Sequence, residues 1–153
     1  MKHTRTAGFT LLEMLIALVV AAALAAIAIP AYQQYRERLM VNQAKTTIAV
    51  LAADLIRYYS AHNAYPATLA GLGVAIPLDP WGHAYRYLPI DVTPAPKVGK
   101  MLKDKSLHPV NSDFDLYSMG PDGATTTQLA SAKSQDDIIR AGNGSYIGSA
   151  SGY

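Results

Sequence analysis

Acidic side chains are concentrated in the C-terminal third of this 153-residue chain. The aspartates there are Asp113, Asp115, Asp122, Asp136 and Asp137, and the only basic residues after Asp113 are Lys133 and Arg140. Calcium binds carboxylate and carbonyl oxygens, and glycines allow a loop to turn its carbonyls inward. The cluster therefore suits a hard cation, although aspartates also solvate turns. An EF-hand is excluded, because its loop needs a late glutamate and the chain has glutamate only at positions 13 and 37.

The other reactive residues do not indicate catalysis or nucleic-acid binding. The histidines His62, His83 and His108 are scattered, and Ser145 in AGNGSYIG does not form a nucleophile elbow. Walker and HExxH motifs are absent, as is cysteine, which excludes thiol catalysis and a disulfide framework. Lys and Arg outnumber Asp and Glu by only 13 to 11, which is no argument for nucleic acid. We expect a protein that is not an enzyme and does not bind nucleic acid.

Glu13 lies within the most apolar segment of the chain, residues 9–29, FTLLEMLIALVVAAALAAIAI. At roughly 1.5 Å per residue this segment is long enough to cross a hydrocarbon core of about 30 Å. A cleaved secretory signal peptide would also have a basic start and an apolar run. However, an unpaired carboxylate in such a run is costly, and a disposable signal has no use for that cost. The segment is therefore interpreted as a membrane-spanning helix.

The helix that carries Glu13 is predicted to continue beyond the membrane segment. Apolar residues recur at intervals of three and four at Tyr32, Tyr35, Leu39, Ala44, Ile48, Leu51, Leu55 and Tyr58. After Ser60 the sequence becomes rich in Pro, Gly, Asn and Asp, which predicts a helix end near His62. A helix from Phe9 to Ser60 would be about 75 Å long. We therefore expect one rod whose second half is amphipathic.

The polar remainder predicts two strands, at about Tyr85 to Leu88 and from Asp113 to Met119, where polar and apolar residues alternate. Residues 93–108, between these strands, contain Lys97, Lys100, Lys103 and Lys105 and are typical of a solvated loop. The Gly- and Ser-rich residues 141–153 predict a flexible or surface-packed terminus.

The N-terminal residues Gly8-Phe9-Thr10-Leu11-Leu12-Glu13 follow a short basic leader and resemble the cleavage and methylation motif of type IV prepilins. The resemblance implies that a prepilin peptidase cuts after Gly8 and that the new N-terminal Phe9 is methylated. It also implies an assembly role for Glu13, which would pair with the Phe9 amine of a neighbouring subunit, and a helix kink at Pro30. Proline removes a backbone donor and clashes with the preceding turn, so the helix is expected to bend there.

The segment LDPWGHAYRY, residues 78–87, is similar to the LDPWGxPYxY signature of the major pseudopilin of type II secretion, with Ala84 in place of the proline. Residues 63–72 and 114–123 resemble the same family, so that the similarity extends from Gly8 to about Ile139. A proline before Trp81 and a glycine after it describe a tight turn, and Trp81 is predicted to be its packing anchor.

The resemblance implies an α+β, type IV pilin-like fold. In this fold a long N-terminal α-helix, with a transmembrane half and an amphipathic half, packs on a small C-terminal antiparallel β-sheet with an ordered loop. We expect a leader peptide at residues 1–8, a transmembrane and filament-core helix at 9–29, an amphipathic continuation at 30–62 and a globular head at 63–153.

The resemblance also implies a structural calcium ion in the head. Its ligands would be backbone carbonyls near Met119 together with Asp122, Asp136 and Asp137. The intervening residues 124–135, ATTTQLASAKSQ, are longer and less acidic than the loop expected in that family. The individual ligands are therefore expectations only.

The implied function is that of a structural subunit of a periplasmic pseudopilus, which drives protein export by type II secretion after polymerising through its N-terminal helix. Expected partners are further copies of the chain, minor pseudopilins, the prepilin peptidase and the inner-membrane assembly platform. The helix would cross the inner membrane once, with the head in the periplasm. Two alternatives remain open: a major or minor pilin of a type IV pilus, although such pilins usually carry a C-terminal disulfide, and a membrane-anchored periplasmic module that does not polymerise.

Overall fold

The computed structural model describes residues 9–92, 96 and 98–153. The predicted leader peptide with Gly8, and Lys97 of the predicted solvated loop, lie outside the described residues. The contacts within the chain divide it between Arg38 and Leu39 into two units. The second unit contains the end of the long helix and the sheet.

The helix α1 extends from Leu11 to His62, which confirms the predicted C-terminal end. Its 52 residues far exceed the average helix of about 11–12 residues. The helix passes through Pro30, where the kink remains a prediction. By length and composition α1 can cross a membrane, and no residue of its most apolar window is buried.

The sheet has four antiparallel strands in the order β1-β2-β3-β4. They are β1 (Arg86–Pro89), β2 (Phe114–Ser118), β3 (Ile138–Ala141) and β4 (Tyr146–Ser149). The first two confirm the predicted strands to within a residue. The last two were not predicted. Residues 141–153 were expected to form a flexible or surface-packed terminus; the flexible alternative is wrong, because this segment is ordered and supplies the edge strand β4.

One face of the sheet packs against the second half of α1. The predicted apolar positions Ala44, Ile48, Leu51 and Leu55 are buried there against alternate residues of the strands, Phe114, Leu116 and Ile138. Trp81 is partly buried against this cluster, as expected of a packing anchor. The predicted helix-on-sheet arrangement is therefore confirmed, and this cluster is the main core of the head.

The opposite face of the sheet is covered by loops. Leu102, Val110 and Leu129 pack on Ile139 and Ala141, which point away from α1. The prediction that residues 93–108 form a solvated loop is therefore wrong for Met101 and Leu102, which are buried. The interpretation rested on the lysines and overlooked the apolar pair between them.

Asp115 of β2 fastens this loop layer to the sheet. One carboxylate oxygen, Oδ2, accepts a hydrogen bond from Leu102 N at 2.7 Å, and the other accepts one from Asn111 Nδ2 at 3.0 Å. Burial raises the pKa of Asp115, against the lowering effect of these two bonds. Because both of its carboxylate oxygens accept hydrogen bonds within the fold, Asp115 is not a candidate metal ligand.

Candidate functional site

Thr10 and Glu13 form a reciprocal cap at the start of α1. Glu13 Oε2 accepts hydrogen bonds from both Thr10 N and Thr10 Oγ1, each at 2.8 Å, while Glu13 N donates to Thr10 Oγ1 at 3.2 Å. This geometry is a capping box, which satisfies donors that the first turn of a helix would leave unpaired. The Thr-x-x-Glu spacing was a signal for this cap in the sequence, but the sequence interpretation missed Thr10.

The cap also orients the Glu13 carboxylate. The two hydrogen bonds that Glu13 accepts from Thr10 both end at Oε2. An ionised carboxylate can accept further hydrogen bonds on both of its oxygens. Phe9, whose amine would be created by cleavage, is the residue immediately before Thr10. The start of α1 therefore presents a fixed anionic group close to the residue that the N-terminal motif marks for modification.

In the head, the buried Asp79 organises the Trp81 turn. Its Oδ1 accepts hydrogen bonds from Trp81 N at 3.1 Å and His83 N at 2.7 Å, and its Oδ2 accepts one from Ser118 Oγ at 2.5 Å. His83 Nδ1 lies 3.1 Å from the carbonyl oxygen of Gly120. The turn is therefore tied both to the end of β2 and to the acidic loop that follows β2.

The acidic loop begins at Met119 and lies directly against Asp136. A Cβ added at Gly120 would come within 2.5 Å of the Asp136 carbonyl oxygen, and Asp122 N lies 3.4 Å from Asp136 Oδ2. The structure thus brings the Met119–Asp122 loop and Asp136 together, although residues 123–135 separate them in the sequence. Asp113, another acid of the predicted cluster, is paired with Arg140 instead.

Asp137 is the buried member of this group. Its Oδ2 accepts a hydrogen bond from Thr125 Oγ1 at 2.7 Å, whereas its Oδ1 is buried and has no hydrogen-bond partner among the described residues. Burial, together with the neighbouring Asp136 and Asp122 carboxylates, raises the pKa of Asp137 to about 7, against the lowering effect of the hydrogen bond from Thr125. An unpaired carboxylate oxygen beside two other acids is an environment that a cation would stabilise.

The donor set fits a calcium ion better than a metal that prefers nitrogen or sulfur ligands. Within the described ranges no three His, Cys, Asp or Glu side chains lie close enough together to hold a metal ion, so side chains alone would not complete a site. Calcium also accepts backbone carbonyls and water as ligands. The Gly120 and Gly123 backbones, both at φ of +65°, give the loop freedom to direct carbonyls towards the acids.

Replacement of Gly120 by alanine is expected to destabilise the head far more than replacement of Gly73. Both glycines have positive φ, +65° at Gly120 and +70° at Gly73. An alanine at either position would therefore be strained by a similar amount, about 1–2 kcal/mol. Only at Gly120 does the added Cβ meet backbone, because nothing lies within 4 Å of the Gly73 position. We expect a further loss of about 1–3 kcal/mol for Gly120→Ala.

Urea unfolding of the full-length chain in detergent, followed by the fluorescence of Trp81, measures this difference. Gly123→Ala is an intermediate case with the same φ as Gly120, since its Cβ would meet the His83 ring, which can move, rather than the backbone. Equal losses for Gly73→Ala and Gly120→Ala would show that the loop does not need its close approach to Asp136.

Comparison with known proteins gives a match to an N-terminal motif and relatives that align over most of the chain. Residues 3–29 match the prokaryotic N-terminal methylation motif. Type II secretion system core protein G of Pseudomonas aeruginosa is 30% identical over 144 residues, which cover 80% of this chain and 89% of that protein. Core protein G of Dickeya chrysanthemi is 28% identical over 165 residues, with coverage of 93% and 92%. The type IV major pilin protein PilE1 of Neisseria gonorrhoeae is 36% identical over 75 residues, about half of each chain. No solved structure matches the chain.

A long N-terminal helix packed on a four-stranded antiparallel sheet, together with the methylation motif, defines a type IV pilin-like protein. Within this class, the chain belongs to the type II secretion system core protein G family. The apolar helix and the relatives together indicate membrane anchoring. The named relatives are a secretion-system core protein and pilins, which are structural proteins rather than enzymes.

Proposed function

We propose that the protein is a structural subunit of a periplasmic pseudopilus that drives protein export by type II secretion. The observation that carries this proposal is the extent of the match to core protein G. At 93% coverage of this chain, the alignment includes both the apolar helix and the head, whereas the match to the gonococcal pilin covers about half. The apolar helix and the head are therefore both similar to the same type II secretion protein.

In this proposal the protein first lies in the inner membrane, with α1 crossing it once and the head in the periplasm. A prepilin peptidase removes residues 1–8 and Phe9 is methylated. The inner-membrane assembly platform then extracts the subunit into a filament with further copies and minor pseudopilins. Polymerisation would bury the apolar side chains in the first half of α1, which are exposed in the single chain.

Glu13 would pair with the Phe9 amine of a neighbouring subunit during assembly. An unpaired carboxylate in lipid has a high free energy. Pairing with an amine lowers this free energy, but only when the helices of neighbouring subunits are in the correct register. The capping box leaves the carboxylate able to accept such a donor while holding it in place. Pro30 supplies a weak point at which α1 would bend during extraction.

Export of a folded substrate tests the secretion role directly. We expect the wild-type chain to restore export in a strain that lacks its own copy, and a variant with Gly8 replaced by a bulky residue to fail because it is not processed. Immunoblotting of the unprocessed and processed forms and of the exported substrate measures both effects. Surface pili without restored export would favour the type IV pilin alternative, which the gonococcal match supports over half the chain.

Polymerisation is tested separately by crosslinking. The chain has no cysteine, so a single cysteine placed in the Phe9–Ile29 segment is a clean probe. A filament brings the same segment of many copies together, and oxidation is expected to yield linked dimers in cells with an active assembly platform. Monomer alone would support a membrane-anchored module that does not polymerise.

Calcium is proposed as a structural ligand of the acidic loop, with Asp122, Asp136, Asp137 and a carbonyl near Met119 as its ligands. The three carboxylates would have to move closer together on binding, because no three such side chains of the described residues are close enough to hold a metal ion as they stand. The unpartnered Asp137 Oδ1 and its two acidic neighbours support this proposal. A ligand that binds only the folded state stabilises that state by RT ln(1 + [L]/Kd), where [L] is the free ligand concentration. This is about 2.7 kcal/mol when calcium is at 100 times its Kd. We therefore expect chelation with EGTA to lower the melting temperature by several degrees, and added calcium to restore it.

Asp136→Asn and Asp104→Asn make a matched pair for the calcium test, because both aspartates are in head loops but only Asp136 lies at the proposed site. The calcium-dependent shift should disappear in Asp136→Asn and persist in Asp104→Asn. A melting temperature that does not change between EGTA and excess calcium in the wild-type chain would refute the site.

A further inference from the structure

Ser118, the last residue of β2, links the buried Asp79 to the backbone of the acidic loop. Its side chain is fully buried, and its Oγ donates a hydrogen bond to Asp79 Oδ2 at 2.5 Å. The same oxygen accepts a hydrogen bond from Gly120 N at 3.1 Å. A serine hydroxyl has one hydrogen to donate and two lone pairs with which to accept. Because Asp79 takes the hydrogen, a lone pair of Ser118 Oγ is left for the Gly120 N–H.

The hydrogen bond from Gly120 N also fixes the direction of the Met119 carbonyl group. The N–H of Gly120 and the C=O of Met119 belong to one peptide unit, which is planar, and in the trans form they point in opposite directions. Since the N–H is held by Ser118, the Met119 oxygen is directed to the opposite side of this peptide unit. The proposed calcium site takes its backbone ligand from this part of the loop.

His83 holds the next peptide unit of the same loop. Its Nδ1 lies 3.1 Å from the Gly120 carbonyl oxygen, and its ring packs on Gly123, where an added Cβ would come within 2.8 Å of Nε2. His83 is itself held by Asp79, whose Oδ1 accepts a hydrogen bond from His83 N at 2.7 Å. Two consecutive peptide units of the loop are therefore connected, through Ser118 and His83, to one buried carboxylate.

A backbone that is already oriented matters at this site because the acidic side chains are not yet in position to hold an ion. No three of them within the described ranges are close enough as they stand, so binding has to order them. A preformed ligand lowers the ordering cost of binding, and residues behind the direct ligands help to set metal affinity. Resting on the calcium site of the proposed function, we propose that Ser118 and His83, both held by Asp79, are positioning residues that fix the loop backbone for calcium.

Calcium titration of the full-length chain tests this role. The protein is kept in detergent, treated with EGTA, freed of the chelator by gel filtration and titrated with calcium in an isothermal calorimeter. Ser118→Ala removes the hydroxyl but none of the proposed ligands. Loss of a residue behind the direct ligands typically weakens metal binding by about 10–100-fold, and we expect the calcium Kd of Ser118→Ala to rise by that factor. An unchanged Kd would overturn the proposal.

Tyr87→Phe is the matched control, because it also removes one hydroxyl hydrogen bond from the head. Tyr87 Oη donates to the Pro66 carbonyl oxygen at 2.9 Å, a bond that involves no residue of the acidic loop. Both variants are expected to melt at a lower temperature than the wild type in EGTA, but only Ser118→Ala should bind calcium more weakly. A Kd that rises equally in the two variants would assign the effect to general loss of stability and contradict a positioning role.

His83→Phe keeps the proposal testable if Ser118→Ala does not fold. The His83 side chain is 31% exposed, and phenylalanine retains a ring against Gly123 while it removes the contact of Nδ1 with the Gly120 carbonyl. The calcium Kd of this variant should also rise, and an unchanged Kd would again overturn the positioning role.

The wild-type titration separates this inference from the calcium site on which it rests. If the wild-type chain binds no calcium, the site and the positioning role are refuted together. If the wild-type chain binds calcium and Ser118→Ala binds it equally well, the site stands and only the positioning role is wrong.

Discussion

Replacement of Arg140 by methionine is expected to lower the free energy of unfolding by about 3–5 kcal/mol, because it leaves a mostly buried carboxylate without its partner. Arg140 lies in β3 and is 1% exposed. Its Nη1 and Nη2 donate to the two oxygens of Asp113 at 2.9 and 2.6 Å, and its guanidinium carbon lies 4.0 Å from the centre of the Phe114 ring. Methionine fills similar space but replaces neither the paired bonds nor the cation–π contact.

Arg57→Met is the matched control for this experiment. The Arg57–Asp54 pair is equally close, at 2.9 Å, but the Arg57 side chain is 78% exposed. Exposed pairs contribute about 0–1 kcal/mol, so this variant is expected to unfold almost like the wild type. Urea unfolding of both full-length variants in detergent, followed by Trp81 fluorescence, measures the difference. Similar losses for the two variants would contradict a structural role for the buried pair.

Asp113→Asn in the Arg140→Met background provides a second check. If the main cost of Arg140→Met is an unpaired charge on Asp113, removal of that charge should restore part of the lost stability. The double variant is then more stable than Arg140→Met alone. A double variant that is less stable would instead assign the loss to packing around Phe114.

The helix and its buried face were predictable because their signal is local and repetitive. Ala44, Ile48, Leu51 and Leu55 are spaced at threes and fours, and each of them is buried against the sheet. The end of α1 at His62 followed from the abrupt change to Pro- and Gly-rich sequence. In such a segment the period of the apolar residues and the position of the helix breakers do not depend on distant contacts.

The second half of the sheet was missed because its signals are short and lie among small residues. β3 and β4 have four residues each, and the glycines and serines of residues 141–153 favoured the interpretation of that segment as a flexible or surface-packed terminus. The signal that was overlooked is Asn143-Gly144, a typical hairpin turn sequence between apolar runs. Asn143 and both flanking glycines indeed adopt positive φ, which reverses the chain between β3 and β4.

The functional residues likewise fall into those with a local signal in the sequence and those that depend on distant contacts. Glu13 was found because an acid in an apolar run is anomalous in any context, whereas the cap formed with Thr10 required attention to a three-residue spacing. The proximity of Asp136 to the Met119–Asp122 loop was implied only by resemblance, because no local rule spans residues 124–135. The Arg140–Asp113 pair links β3 to the start of β2 and was not predicted, since pairing of long-range charges depends on strand register.

Replacement of Glu13 by glutamine is expected to prevent filament assembly without removing the cap of α1. The glutamine side-chain oxygen accepts the same hydrogen bonds from Thr10, and glutamine is as suitable as glutamate at this position of a capping box. What the variant lacks is the negative charge that would pair with the Phe9 amine of a neighbour. Loss of one partner of a buried ion pair costs about 3–5 kcal/mol, which is more than a hundredfold in an equilibrium constant.

Thr10→Val is the complementary variant, because it removes the hydroxyl of the cap and keeps the Glu13 charge. Loss of a cap costs about 1 kcal/mol, so this variant should still assemble, while processing of both variants by the prepilin peptidase remains at the wild-type level. Sheared filaments and the membrane-bound pool are quantified by immunoblotting. If Glu13→Gln assembles normally and Thr10→Val does not, Glu13 acts within its own helix as a cap, and the pairing between subunits must be abandoned.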